Sequence, residues 1–193
     1  MSVVQKIILN QARYNLWANQ QLLTSVSEIP EDSYRAHAGL IFRSIHGTLN
    51  HILVADKIWF ARFTENYENY EELSNFLRMS SNVPLAKDAT SSHWESFVPD
   101  RKELSAKIIE QSNKWINHIT SLPSTLDIEN KFLTYTNSSG ATVKTNALVD
   151  YLHVFNHCTH HRGQISAAIT GFGYKAPVMD LVYYNIQHDE KPF

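Results

Sequence analysis

A single cysteine, Cys158, is all that the 193 residues contain. No disulfide can form within the chain, and a reducing compartment is expected. No stretch approaches the roughly 20 apolar residues of a membrane span, so no membrane partner is expected. Lys and Arg form no run anywhere, and 17 basic against 19 acidic side chains leave a net charge of −2. That balance gives no footprint for nucleic acid. Internal repeats and low-complexity segments are absent as well. The N-terminal stretch MSVVQKIILNQARYNLWANQ has no long uncharged apolar core and no small-residue cleavage site, so it does not read as a secretory signal. The expected location is cytoplasmic.

What is present describes an ordinary globular protein, 43% apolar and 19% charged. The length fits one domain over residues 1–193, long enough to bury a substantial core. Val3 to about Val26 reads as a first helix with Ile7, Leu16, Trp17, Leu22 and Val26 on its apolar face, stopped by Pro30. Glu31–Gly39 reads as a connection. Leu40 to about Phe63 reads as a second helix, its apolar positions Ile41, Ile45, Leu49, Ile52, Ile58, Trp59 and Phe63. Thr64–Ser92 is polar and reads as an irregular excursion, with a helical turn at most near Glu65–Glu72 and a loop at Asn82–Pro84. Trp94 to about Leu122 reads as a third helix that Pro99 kinks or delays to a start near Asp100. Leu126–Tyr135 and Ala141–Thr145 flank a turn cluster and predict a small β-hairpin. Thr145 or Asn146 then caps a fourth long helix that ends at Gly171 and Gly173. Asp180–Gln187 is a short last helix or turn. Four long helices with one hairpin before the fourth read as an all-α four-helix bundle, an architecture that builds metal sites from facing helices.

The densest chemistry lies in the fourth helix, YLHVFNHCTHHRGQISAAIT, where four of the ten histidines fall between His153 and His161. A helix turns by about 100° per residue. With His157 at zero, His161 sits at about +40° and His153 at about −40° on the helical wheel. Gln164 comes to about −20° and His160 to about −60° on the same wheel. Side chains at i and i+4 stand about 5–6 Å apart, close enough for two imidazoles to reach one ion. His153 and His161 are about 12 Å apart along the axis, too far to share an ion easily. The workable pairs are His157 with His161, His153 with His157, and His157 with His160. The spacing therefore selects His157 and leaves its partner open. On the second helix, His51 borders the apolar stripe, whereas His46 lies about 140° away and cannot serve the same site.

Three stretches resemble the DinB family, the DinB-like or YfiT-like superfamily of metal-dependent thiol transferases. They are Tyr14-Asn15-Leu16-Trp17-Ala18-Asn19, Leu49-Asn50-His51-Ile52-Leu53-Val54-Ala55-Asp56 with the residues through Phe63, and Asn156-His157-Cys158-Thr159-His160-His161-Arg162-Gly163-Gln164. Pro177–Leu181 also resembles the family's ending. The resemblance implies an up-down-down-up bundle, usually a homodimer. It implies a divalent metal ion, Zn2+ or Ni2+, held by His51, His157 and His161, which leaves His153 and His160 as rim residues.

Three imidazoles leave at least one coordination position open, as in a catalytic site. An ion there can lower the pKa of water to about 7 or deprotonate a thiol. The expected function is a metal-dependent S-transferase using a small-molecule thiol, or a related hydrolase. The competing reading is a non-catalytic, metal-binding stress-response protein whose ion braces the bundle. The family's damage-inducible name suggests DNA binding, which the charge opposes. No general base stands out, and the catalytic residues are unassigned. Asp56, about 140° from His51, reads as a salt-bridge or capping partner. Arg162 either binds a substrate carboxylate or packs against the first helix. Cys158 reads as a small buried residue, and Trp59 and Phe63 as core. His118 is expected at the surface or rim, and Tyr14, Asn15 and Trp17 are expected to pack on the fourth helix.

Overall fold

The computed structural model describes residues 1–68, 70–81, 89–137 and 139–188, without the side chains of Ser80 and Ser81. Among these residues the chain forms seven α-helices and one two-stranded antiparallel sheet. Helix α1 (Val3–Ser27) opens with a reciprocal cap: Ser2 Oγ accepts from Gln5 N–H at 3.1 Å, and Gln5 Oε1 accepts from Ser2 N–H at 2.8 Å. These bonds satisfy two backbone donors that a helix start would otherwise leave open. Within the expected connection a short helix α2 (Glu31–Arg35) forms after Pro30, since proline suits a helix start.

Helix α3 (Ile45–Thr64) begins five residues later than the sequence suggests. Ser44 Oγ accepts from Gly47 N–H at 3.0 Å and fixes the start. Leu40–Arg43 is instead a tight turn in which Arg43 N–H donates to Leu40 O at 2.9 Å. Arg43 has φ +75°, incompatible with a right-handed helix. Ile41, expected on the apolar stripe, is 72% exposed in that turn.

The excursion after α3 is more ordered than expected, because Tyr70–Ser81 is a helix, α4. Leu73, Phe76 and Leu77 recur at helical spacing and pack around Val54, Ile58 and Trp94. This narrow stripe is diluted in sequence by polar neighbours, while Glu71 and Glu72 suit the positive end of the helix. The expected Asn82–Pro84 loop lies outside the described residues. A 3-10 turn at His93–Ser96 precedes helix α5 (Arg101–Ser121), which Asp100 caps by accepting from Glu103 N–H at 2.7 Å. The expected helix from Trp94 is thus interrupted near Pro99, and the later of the two anticipated starts is the observed one.

Strands β1 (Phe132–Thr136) and β2 (Thr142–Asn146) pair with Phe132 opposite Asn146 and Thr136 opposite Thr142. Asn146 also caps helix α6 (Ala147–Gly171), its Oδ1 accepting from Leu148 N–H at 3.0 Å and Val149 N–H at 3.3 Å. Helix α7 (Leu181–His188) follows.

Helices α1 and α3 each pack against α5 and α6. One apolar cluster holds Leu22, Leu49, Leu53, Leu104 and Ile165; another holds Ile8, Phe63, Trp115 and Phe155. Buried polar bonds cross the same helices. Arg162 of α6, 1% exposed, donates to Asn15 Oδ1, to Asn19 Oδ1 at 3.0 Å and to Thr159 Oγ1 at 2.9 Å. Asn19 passes the chain on to Ser112 Oγ at 3.0 Å. Asp56 of α3 accepts from the Trp115 indole N–H. No helix among the described residues is long and apolar enough to cross a membrane.

Candidate metal centre

Cβ atoms four residues apart lie one above the other on a helix. His157 and His161 of α6 meet in this way, with 3.1 Å between their Nε2 atoms. From α3, the His51 Nε2 comes to 3.2 Å from the same His157 Nε2. All three nitrogens lie within 4.8 Å of one another, and the cluster contains no carboxylate or cysteine among the described residues. A nitrogen 3.1–3.2 Å from two others can share a proton with only one of them at a time. Ligands about 2.0–2.1 Å from a tetrahedral ion stand about 3.3–3.4 Å apart, so the spacing suits imidazoles around one small cation.

The electrostatics agree. Burial, followed by repulsion from His161 and His157, holds the His51 pKa down to about 2. Burial and the neighbouring histidines hold His157 down to about 3. His161 is lowered by burial, against the raising effect of Gln164. The three rings are neutral at pH 7 and keep lone pairs for a cation.

Two devices orient the ring nitrogens. His161 Nδ1–H donates to Gln164 Oε1 at 2.8 Å, which leaves Nε2 as the free acceptor. The Gln164 amide nitrogen in turn donates to His160 Nε2 at 3.1 Å. His51 has no such bond, and its buried Nδ1 lacks a partner among the described residues. Its ring is held by packing: Phe42 stacks on it at 3.8 Å between centroids, and Trp94 meets it edge-on at 4.6 Å. These two aromatics sit on segments tied together by a buried ion pair. Arg43 Nη1 donates to Glu95 Oε1 at 3.0 Å, and Ser44 Oγ donates to the same oxygen. Glu95 Oε2 accepts from Ser92 N–H at 3.1 Å, which closes the turn carrying Trp94.

Of the histidine pairs the sequence allows, the closest contact is His157 with His161. His153 is exposed, touching His157 at 5.7 Å and Trp59 at 5.1 Å between centroids. His160 is exposed and bonded to Gln164. His46 is buried elsewhere, its Nδ1 2.8 Å from the Tyr34 hydroxyl, and burial lowers its pKa to about 4. Of the two roles read from the sequence, Arg162 takes the packing one: it is 1% exposed and donates to Asn15, Asn19 and Thr159. Asp56 forms no salt bridge among the described residues: it accepts from Trp115, and burial raises its pKa to about 7. Cys158 is buried and its thiol pKa is pushed up by burial. Asn15 reaches α6 through Arg162, whose guanidinium also lies 5.6 Å from the Tyr14 ring centroid, whereas Trp17 packs on Tyr184 of α7. Phe63 is core, Trp59 is half-buried, and His118 is half-buried with its Nε2 2.9 Å from the Tyr151 hydroxyl.

Sequence reasoning misses Phe42, Trp94 and the Arg43–Glu95 pair. One signal was available: Ser92-x-x-Glu95 has the spacing of a capping box and marks the turn that carries Trp94.

The DinB family model matches residues 1–191. The chain is similar to Protein DinB of Bacillus subtilis (strain 168), with 27% identity over 171 residues, 89% of this chain and 89% of that protein. No solved structure matches it. The family match runs from before α1 to beyond α7, through all three histidines, and the chain belongs to the DinB family.

Proposed function

We propose that the chain is a single-domain, up-down-down-up four-helix bundle of α1, α3, α5 and α6 that binds one divalent cation through His51, His157 and His161. The observation that supports this most is the convergence of three neutral Nε2 atoms from two helices within 4.8 Å. Imidazole donors suit Zn2+ and Ni2+. Three protein ligands leave room for a substrate atom, which favours catalysis over a closed structural site. When bound, the cation supplies Lewis acidity toward a thiol or a water.

The chain's own residues supply the rest. Gln164 keeps the His161 Nδ1 proton on the far side of the ring. Phe42 and Trp94 hold the His51 ring in place. The reading is a metal-dependent enzyme acting on a small molecule, with a low-molecular-weight thiol as cosubstrate in S-transfer, or with water in hydrolysis. It works as a cytoplasmic homodimer without nucleic acid or membrane partners.

Elemental analysis of untagged protein and of the His51→Ala, His157→Ala and His161→Ala variants tests the site. One equivalent of metal is expected in the parent and little in each variant. A variant that loses the metal yet keeps full thiol-dependent turnover overturns the catalytic reading. Chelation that lowers the melting temperature of a protein unable to bind thiols assigns the ion a bracing role instead.

A further inference from the structure

Arg62 lies near the end of α3, 8% exposed, and no carboxylate among the described residues comes within ion-pair distance of it. Asp150 acts on it through space without touching it, and a buried charge with no acid in contact is costly, so its surroundings need an account. Its guanidinium lies against two ring faces, 3.9 Å from the Tyr135 centroid and 4.6 Å from that of Trp59. Nε donates to the Tyr70 hydroxyl at 3.1 Å and Nη2 to Thr136 O at 3.4 Å. Arginine carries five N–H donors in one plane. These two bonds leave Nη1 without a hydrogen-bond partner among the described residues.

The same guanidinium lines a cavity of about 310 Å³ between α4 and the end of β1. Arg78, Ser74, Tyr70 and Asn137 share that lining, with Glu71 as the one acid among the described residues. Arg78 adds a second positive charge, tethered to Asn75 Oδ1. Stacking on rings and one bond to a carbonyl pre-orient the Arg62 fork, which reduces the entropy lost when it grips a planar anion. The volume is that of a pocket for a small molecule or the end of one.

We propose that this cavity is an anion-binding site, taking a carboxylate or phosphate group of a small molecule between Arg62 and Arg78. It is separate from the histidine cluster and does not depend on the cation. The intervening surface is an unbroken series of rings: His157 to His153 at 5.7 Å, and His153 to Trp59 at 5.1 Å between centroids.

Titration of inorganic phosphate and of succinate, followed by calorimetry on the protein as purified and again after chelation, tests the site. One saturable site is expected, equal in the two preparations, for at least one of the probes. Arg78→Ala, an exposed change, is expected to weaken binding about tenfold or more, the loss of one charge-assisted bond. Glu71→Gln is expected to tighten it by removing the opposing charge. Lys102→Ala, on α5, is the control for general charge and leaves affinity unchanged. Absence of saturable binding by both probes overturns the proposal. So does equal binding by the parent and Arg78→Ala, or an equal loss in Lys102→Ala. Because the measurement is repeated without metal, its failure is distinct from failure of the histidine site.

Discussion

Phe42 and His51 stack with their ring planes 16° from parallel and 3.8 Å between centroids. Metal-binding histidines ordinarily owe their orientation to a hydrogen bond at the other ring nitrogen. His51 has no partner there among the described residues. The stacked phenyl ring takes over that task and directs Nε2 toward His157.

Truncating the phenyl ring should therefore act on the metal without touching a ligand. Phe42→Ala is expected to lower metal affinity about 10–100-fold, the range for losing an orienting neighbour. Phe42→Tyr keeps the stack and should stay near the parent. A competition titration against a chelator reads both. Unchanged affinity in Phe42→Ala would show that the stack does not orient His51.

The Arg43–Glu95 pair holds the two aromatic segments together, and both side chains are buried. Glu95→Gln strands the Arg43 charge, and breaking a buried pair on one side costs about 3–5 kcal/mol. The same carboxylate caps the turn beneath Trp94. Urea unfolding of the metal-free variant should show that loss, and metal affinity should fall with it. A variant as stable as the parent would refute the role given to Glu95.

Gly47 is where α3 passes under the Phe42 carbonyl. A Cβ there would lie 2.2 Å from Phe42 O and 3.2 Å from Ser92 Oγ. The obstacle is backbone, so the turn itself must move. Gly47→Ala is expected to cost about 1–3 kcal/mol despite alanine's better helix propensity. Thermal unfolding of the metal-free protein measures it, and a raised melting temperature would contradict the close approach.

Helix α6 and its central His157 were readable because they obey one periodicity over 25 residues, whereas the choice of His161 as partner came from the family resemblance. The pairing of His51 rather than His46 was not readable in this way. Both are buried on α3 on different faces, and which face meets the α6 histidines depends on what another element brings: Tyr34 from α2 to His46, or His157 from α6 to His51. Phe42 and Trp94 lie in a turn with positive φ and in a 3-10 turn, segments without a repeating pattern to reveal a face. Helix α4 was obscured for the opposite reason: its stripe is regular, but its composition is that of a surface loop.

Asp56 gives a pH signature that the histidines do not. Burial raises its pKa from 3.8 to about 7, so between those values the folded state binds a proton that the unfolded state has released. Its contribution to stability is complete below pH 3.8 and is lost as pH rises through 7. Asn keeps the oxygen that accepts from Trp115 and removes the charge. Relative to the parent, Asp56→Asn should gain about 2.7 kcal/mol between pH 5 and pH 8, two units below the folded pKa of about 7 at about 1.36 kcal/mol each. Urea unfolding of both proteins at the two pH values isolates the effect, because the histidines titrate equally in each and cancel in the difference. A difference that does not change with pH would mean that Asp56 is ionised throughout, its charge balanced by Arg162.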